Sequence, residues 1–213
     1  MHETSKILAK GNALKLFQSY IKNSDSHILD IGSGNGFFLK SLREVGYKNC
    51  KGIEVQDYKT SDTFTADISR EKLPFKDNFM DVVTGWEVVE HLENPYHAIR
   101  EVHRVLVPGG YFIFSMPNAF HWSNKFYFLF TGNFLRWNAK NDHRTIFTHN
   151  VFEKTYKQDF ELVKVKYANP EFWQAKFQGP LRRLNCLFRK WLNRYFPENQ
   201  LFGHFIIYIL RKK

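Results

Sequence analysis

Leu29-Asp30-Ile31-Gly32-Ser33-Gly34-Asn35-Gly36-Phe37-Phe38 is the stretch that decides the fold. An apolar run beginning at His27 stops at Gly32, passes three alternate glycines and enters a helical pattern that extends to about Val45. Glycines at such a strand-to-helix turn let the backbone reverse sharply and approach a ligand, and the first turn of the helix offers free N–H groups. The next apolar run, Gly52-Ile53-Glu54-Val55, completes a strand–helix–strand unit, with Ile53, Val55, Val82 and Val83 expected in the core.

Working outward, the same alternation continues. A leading helix is expected from about Lys6 to Tyr20, short strands at Phe64 to Ala66 and Asp81 to Trp86, and a helix from Pro95 to Val107. Pro108-Gly109-Gly110 marks a helix stop and tight turn before a fifth strand, Tyr111 to Ser115. Alternating elements of this kind imply a mostly parallel sheet covered by helices on both faces, a doubly wound α/β architecture. Residues 119–147 break the period and are crowded with aromatics from Phe120 to Trp137. A helix at His149 to Gln158, strands at Phe160 to Tyr167 and His204 to Leu210, and a basic helical segment from Phe177 to Phe196 complete the expected order. The expected sheet has seven strands, the last two forming an antiparallel edge. The reading is one domain over 1–213, divided into a ligand-binding half (1–118), an insertion (119–147) and a C-terminal half (148–213).

Glycine spacing narrows the ligand. A dinucleotide fingerprint would need a third glycine where Phe37 stands, and a P-loop would need Gly-Lys-Ser/Thr. What remains is Asp30-x-Gly32-x-Gly34-x-Gly36 with Glu54 at the end of the next strand, where a carboxylate can accept both hydroxyls of a ribose. The bland alternatives are a bare turn for the glycines and a solvated strand end for Glu54.

At these residues the chain resembles the class I S-adenosylmethionine-dependent methyltransferases, over about Ile28 to Asn118. It looks most like the small-molecule O-methyltransferases related to ubiquinone biosynthesis and their glycan-modifying relatives. The resemblance includes Leu73-Pro74-Phe75 leading to Phe79-x-Asp81-Val82-Val83, then Trp86-Glu87-Val88-Val89-Glu90-His91-Leu92, then Leu106-x-Pro108-Gly109-Gly110-Tyr111. It implies S-adenosylmethionine as cofactor and a Rossmann-like sheet. The glycine loop at Gly32, Gly34 and Gly36 would lie under methionine and ribose, Asp30 would face the methionyl end, and Glu54 would hold the ribose. Asp67 and Ile68 would meet adenine, and Trp86 would line the cofactor. Asp67 as a simple turn cap is the competing reading.

Methyl transfer from a sulfonium is an in-line displacement, so the protein mainly aligns nucleophile and methyl, while a hydroxyl acceptor also gains from a base or metal. His91, whose imidazole type titrates at about 6.5, is the candidate base. Glu87, Glu90 and His91, with His143 from Asp142-His143-Arg144, also resemble the divalent-metal site of ubiquinone-type and small-RNA 2′-O-methyltransferases. A glutamate capping the loop with a histidine bordering the cofactor is the alternative for the same residues. His143 and Arg144, with Arg136 and Lys140, are candidates to hold an anionic group of the acceptor. The insertion is expected to form a lid over it. The function implied is O-methylation of a small-molecule hydroxyl on a sugar, glycan or isoprenoid precursor; the alternatives are an RNA 2′-O-methyltransferase and a cofactor-binding protein without turnover.

Composition fits this frame. The 213 residues, 43% hydrophobic, are enough for a folded core without staples. Cys50 and Cys186 match no disulfide framework or zinc ribbon. The N-terminus lacks a signal-peptide pattern and no apolar run approaches 18 residues, so a cytoplasmic protein is expected. The net charge of +10 and aromatic content of 17% concentrate after the fifth strand. Arg182, Arg183, Arg189, Lys190 and Arg194 alternate with apolar side chains over 181–195, a pattern suited to peripheral membrane contact or to packing one face and solvating the other. Nucleic acid is disfavoured, because no RNA-binding signature or Pro-Cys and Asn-Pro-Pro-Tyr base-methylation motif occurs. Oligomeric state is not set by the sequence.

Overall fold

The computed structural model describes residues 12–58, 61–139, 141–168 and 200–213. In chain order these form α1 (Asn12–Tyr20), β1 (His27–Ile31), α2 (Phe37–Glu44), β2 (Asn49–Glu54), β3 (Thr63–Thr65), β4 (Met80–Trp86) and a 3₁₀ turn at Val89–His91. There follow α3 (Pro95–Val105), β5 (Leu106–Pro117), α4 (Trp122–Thr131), α5 (His149–Tyr156), β6 (Phe160–Ala168) and β7 (Phe205–Lys212). The basic segment expected over 177–196, including the membrane-contact reading of 181–195, and the start of the leading helix lie outside the described residues.

The seven strands lie in the order β3-β2-β1-β4-β5-β7-β6. β1 pairs in parallel with both β2 and β4, so the chain reverses its direction of travel across the sheet at β1. Loops at the carboxyl ends of β1 and β4 therefore diverge and leave a crevice, the usual ligand position of such sheets. β7 is antiparallel to both β5 and β6, as expected for the final pair.

Strand residues alternate between two cores. Leu29, Ile31, Val83, Phe112 and Phe114 pack with α3 and α5 on one face. Ile28, Val82, Ile113 and Ile207 pack with α1 and α2 on the other. Burial on both faces explains why β1, β4 and β7 are mostly apolar, with Asp30 and Thr84 satisfying each other as a buried hydrogen-bonded pair. Asn94 starts α3 by accepting the His97 N–H at 3.1 Å, with Pro95 in the first turn. At the other end, Lys212 Nζ donates to the carbonyls of His103 and Leu106 at 2.7 and 2.8 Å.

Two local expectations are corrected. Pro108-Gly109-Gly110 is not a turn between helix and strand: α3 ends at Val105, and the motif is a bulge inside β5, where pairing steps from Met80↔Leu106 to Val82↔Tyr111. Adding residues on one strand bends the pair locally without ending it. Val55 is not core; it is 60% exposed, because β2 ends at Glu54 and the chain turns outward there.

Candidate active site

After Ile31 the backbone takes positive φ at Gly32, Gly34 and Gly36, 63°, 53° and 74°. This folds the loop over the end of β2, where Ser33 N–H donates to Ile53 O at 3.0 Å and Gly34 N–H donates to Glu54 Oε2 at 2.8 Å. The other Glu54 oxygen accepts the Val55 N–H at 2.9 Å. Gly32 lies against the segment after β4, leaving no space for a side chain.

Between these loops is a cavity of about 450 Å³. Gly32, Glu54, Asp67, Ile68, Trp86, Glu87, His91 and Arg144 line it. Asp30, Gly34, Gly36, Glu90 and His143, also singled out from the sequence, are not on its wall. Gly34 and Gly36 shape the loop from behind. Asp30 is 2% exposed, accepts the Thr84 hydroxyl at 2.6 Å, and burial pushes its carboxyl up to about 7. Asp67 does cap a turn, accepting the Ser69 N–H at 2.9 Å, and lines the cavity as well. Trp86 is buried and its indole N–H has no protein partner.

Further ionisable groups lie on the wall at Glu87, His91 and Asp142, with Glu90 and His143 beside them. Glu87 has φ 55°, an uncommon left-handed value for a non-glycine residue, and is held by Ser115: the Glu87 N–H donates to Ser115 Oγ at 3.1 Å, and that hydroxyl donates to Glu87 Oε1 at 2.8 Å. Desolvation raises the Glu87 carboxyl to about 7 against the opposing pull of Arg136. Glu90 is 1% exposed, neither carboxylate oxygen accepts a hydrogen bond, and burial followed by the charge of Glu87 pushes it well above the ordinary range. His91 Nδ1 lies 3.0 Å from Asp142 Oδ1, and its Nε2 lies 3.8 Å from Glu90 Oε1. The His143 ring sits edge-on to His91 at 4.6 Å, and burial with the His91 charge lowers His143 to about 4.

Ligand atoms of Glu90, His91 and His143 lie within 4.8 Å of one another; Glu87 is outside that group. One carboxylate and two imidazoles, with Glu90 and His143 Nδ1 buried and unpartnered, are a donor set suited to a divalent cation. The Arg144 guanidinium, on the cavity wall, pairs with Glu93 at 2.5 Å, and Glu93 also binds Arg70. Arg144 and Thr145 N–H groups both donate to Glu90 O, at 2.8 and 3.1 Å, which fixes the insertion's end beside β4. Asp142, Ser115, Thr84 and Glu93 were not assigned roles from the sequence. Only Asp142, adjacent to His143, had a local signal; the others are long-range partners 28 to 54 positions away in the chain.

The family model for a methyltransferase domain matches residues 4–164. A ubiquinone biosynthesis O-methyltransferase of Ralstonia nicotianae is 30% identical over 124 residues, covering 52% of this chain and 52% of that protein. A ubiquinone/menaquinone biosynthesis C-methyltransferase of Rickettsia felis is 31% identical over 117 residues, covering 46% of each. The chain spans about half or less of the length of such curated relatives. Among solved structures, a SAM-dependent methyltransferase from Archaeoglobus fulgidus superposes with a TM-score of 0.65 at 19% identity, covering 98% of this chain and 94% of that one. No helix among the described residues is long and apolar enough to cross a membrane. With the glycine loop, the crevice at the reversal of strand order and the family model in agreement, the chain belongs to the S-adenosylmethionine-dependent methyltransferases as a methyltransferase domain.

Proposed function

We propose that the protein, as one domain over 1–213, transfers the methyl group of S-adenosylmethionine to a hydroxyl of a small-molecule acceptor. The observation that carries this reading is that one cavity is lined by Gly32, Glu54, Ile68 and Trp86 together with Glu87 and His91. Glu54 keeps carboxylate lone pairs for a ribose beyond the two N–H groups it accepts, and Ile68 and Trp86 offer apolar surface for adenine and the sulfonium chain. Asp30, fixed at the end of β1 by the Thr84 hydroxyl, would face the methionyl end of the cofactor.

His91 acts as the proton acceptor. Asp142 Oδ1, 3.0 Å from Nδ1, favours the ring proton on that nitrogen, so Nε2, 3.8 Å from Glu90 Oε1, is the nitrogen proposed to receive the hydroxyl proton. O-methylation is preferred to C-methylation because a hydroxyl has an acidic proton for such a base; the relatives include both kinds. Release of S-adenosylhomocysteine with a panel of hydroxylated sugars, phenols and isoprenoid alcohols tests the reading. Turnover lost in His91→Ala while S-adenosylhomocysteine still binds supports it; release with none of the panel contradicts it.

A second reading adds a divalent cation. Glu90, His91 and His143 would hold it, and the ion would bind the acceptor hydroxyl and lower its pKa. The buried, unpartnered oxygens of Glu90 favour it. Chelator-sensitive release supports this version, and activity on an RNA 3′ end with the same sensitivity would move the acceptor to RNA.

A further inference from the structure

α4 departs from the ordinary pattern of a surface helix. Trp122, Phe126, Leu129 and Phe130, spaced as one helical face, are 51%, 62%, 73% and 74% exposed. The polar Asn124 instead points inward, 3% exposed, donating from Nδ2 to Asn118 O at 2.9 Å. An apolar stripe facing outward on a helix anchored by a buried amide is the reverse of what solvent alone favours.

We infer that this face of α4 docks on an anionic lipid surface and that the acceptor is drawn from that surface toward the cavity. Charge points to such a surface. From Asn118 to Ala139 the chain holds no acidic side chain, and of its two cations Arg136 turns inward over the Phe205 ring at 4.6 Å while Lys125 is exposed within the stripe beside Trp122 and Phe126. Tryptophan, phenylalanine and leucine flanking a cation are the composition that enters the headgroup boundary. A second copy of the chain is a poorer fit for size. A ten-residue helix is about 15 Å long and about 10 Å wide, far short of the roughly 800 Å² that each partner of a stable pair buries.

The route to the cavity is a run of rings. Phe128 lies 5.0 Å from Phe134, Phe134 lies 6.0 Å from Trp137, Trp137 lies 5.5 Å from His143, and His143 lies 4.6 Å from His91 on the cavity wall. Ring contacts thus run unbroken from α4 to the proposed base, and we take an apolar chain bearing a hydroxyl to follow them. This direction of travel rests on the methyltransferase reading above; the docking does not.

Flotation with phosphatidylcholine vesicles, with and without phosphatidylglycerol, tests the docking. Wild type is expected to float with the anionic vesicles, and Phe126→Ser/Phe130→Ser to partition about tenfold or more weakly. Lys125→Glu, at an exposed position, is expected to weaken anionic binding about fivefold and leave neutral vesicles unaffected. S-adenosylhomocysteine calorimetry on each variant reports an intact domain independently of lipid. Wild type that does not float, or a double variant that floats equally, overturns the proposal. So does a wild-type dimer that the double variant converts to monomer, because a second copy is then the occupant. Failure of wild type to bind S-adenosylhomocysteine would instead overturn the methyltransferase reading, with the lipid result standing on its own.

Discussion

Gly32 and Val88 leave no room for a methyl group between them: a Cβ on Gly32 would lie 2.3 Å from Val88 Cγ2 and 3.0 Å from Cγ1. The contact ties the loop after β1 to the segment after β4 and sets the width of the cavity at its base. Gly32→Ala combines this clash with a positive φ. A loss of about 3 kcal/mol is expected, from about 1–2 for the left-handed backbone and the rest from overpacking. Gly36→Ala has the same backbone cost, but its nearest neighbour is Leu39 Cδ1 at 3.9 Å, so about 1 kcal/mol is expected. Thermal unfolding of both, and of Gly32→Ala/Val88→Ala, checks the ranking. The double variant should recover part of the loss.

Glu54→Gln removes one of the two oxygens that hold Gly34 and Val55, and turns an amide N–H toward a backbone donor. Stability should fall by about 1 kcal/mol, the worth of one hydrogen bond. Affinity for S-adenosylhomocysteine should fall at least about tenfold, because the ribose loses a charged acceptor. Calorimetry with unchanged affinity would remove Glu54 from the cofactor site.

Asp30 makes stability depend on pH. Its carboxyl titrates near 3.8 when unfolded and near 7 when folded, because burial disfavours the charge. The folded state therefore keeps a proton that the unfolded state has released. This contribution is fully present below about pH 4 and is lost as pH rises through about 7. Asp30→Asn retains an acceptor for the Thr84 hydroxyl and has no such titration. Relative to the variant, wild type should lose stability on the order of a few kcal/mol between about pH 4 and about pH 7, and little beyond. Parallel denaturation profiles would contradict the assignment.

The Glu90, His91 and His143 group gives a second pH signature. Glu90 holds its proton well above the ordinary range, whereas His143 is neutral above about 4. A cation must displace the Glu90 proton, so Mn²⁺ affinity should rise with pH while His143 adds no slope near neutrality. Calorimetric titration of wild type, Glu90→Gln and His143→Ala checks this. Equal heats from all three would exclude these residues as ligands.

Much of this was legible in the sequence for a physical reason. Strands buried on both faces, such as Ile28 to Ile31 and Val82 to Trp86, must be largely apolar, with the hydrogen-bonded pair Asp30 and Thr84 as the buried polar exceptions, and three glycines between a strand and a helix leave few alternatives. The bulge at Pro108-Gly109-Gly110 was not legible, because a turn and a bulge both call for glycine, and pairing with β4 decides between them. Arg144 presents the same cation whether it meets a substrate or Glu93, 51 positions away. The outward stripe of α4 could not be told from a satellite core, since the aromatic run from Phe120 to Trp137 does not state which side faces the protein.

The most direct test of the central claim is calorimetric titration of the protein with S-adenosylhomocysteine, beside Gly34→Arg. Gly34 has φ 53° and donates its N–H to Glu54 in the middle of the glycine loop. Wild type is expected to show saturable one-site binding, and the variant to lose it. No binding by wild type, or equal binding by Gly34→Arg, would contradict it.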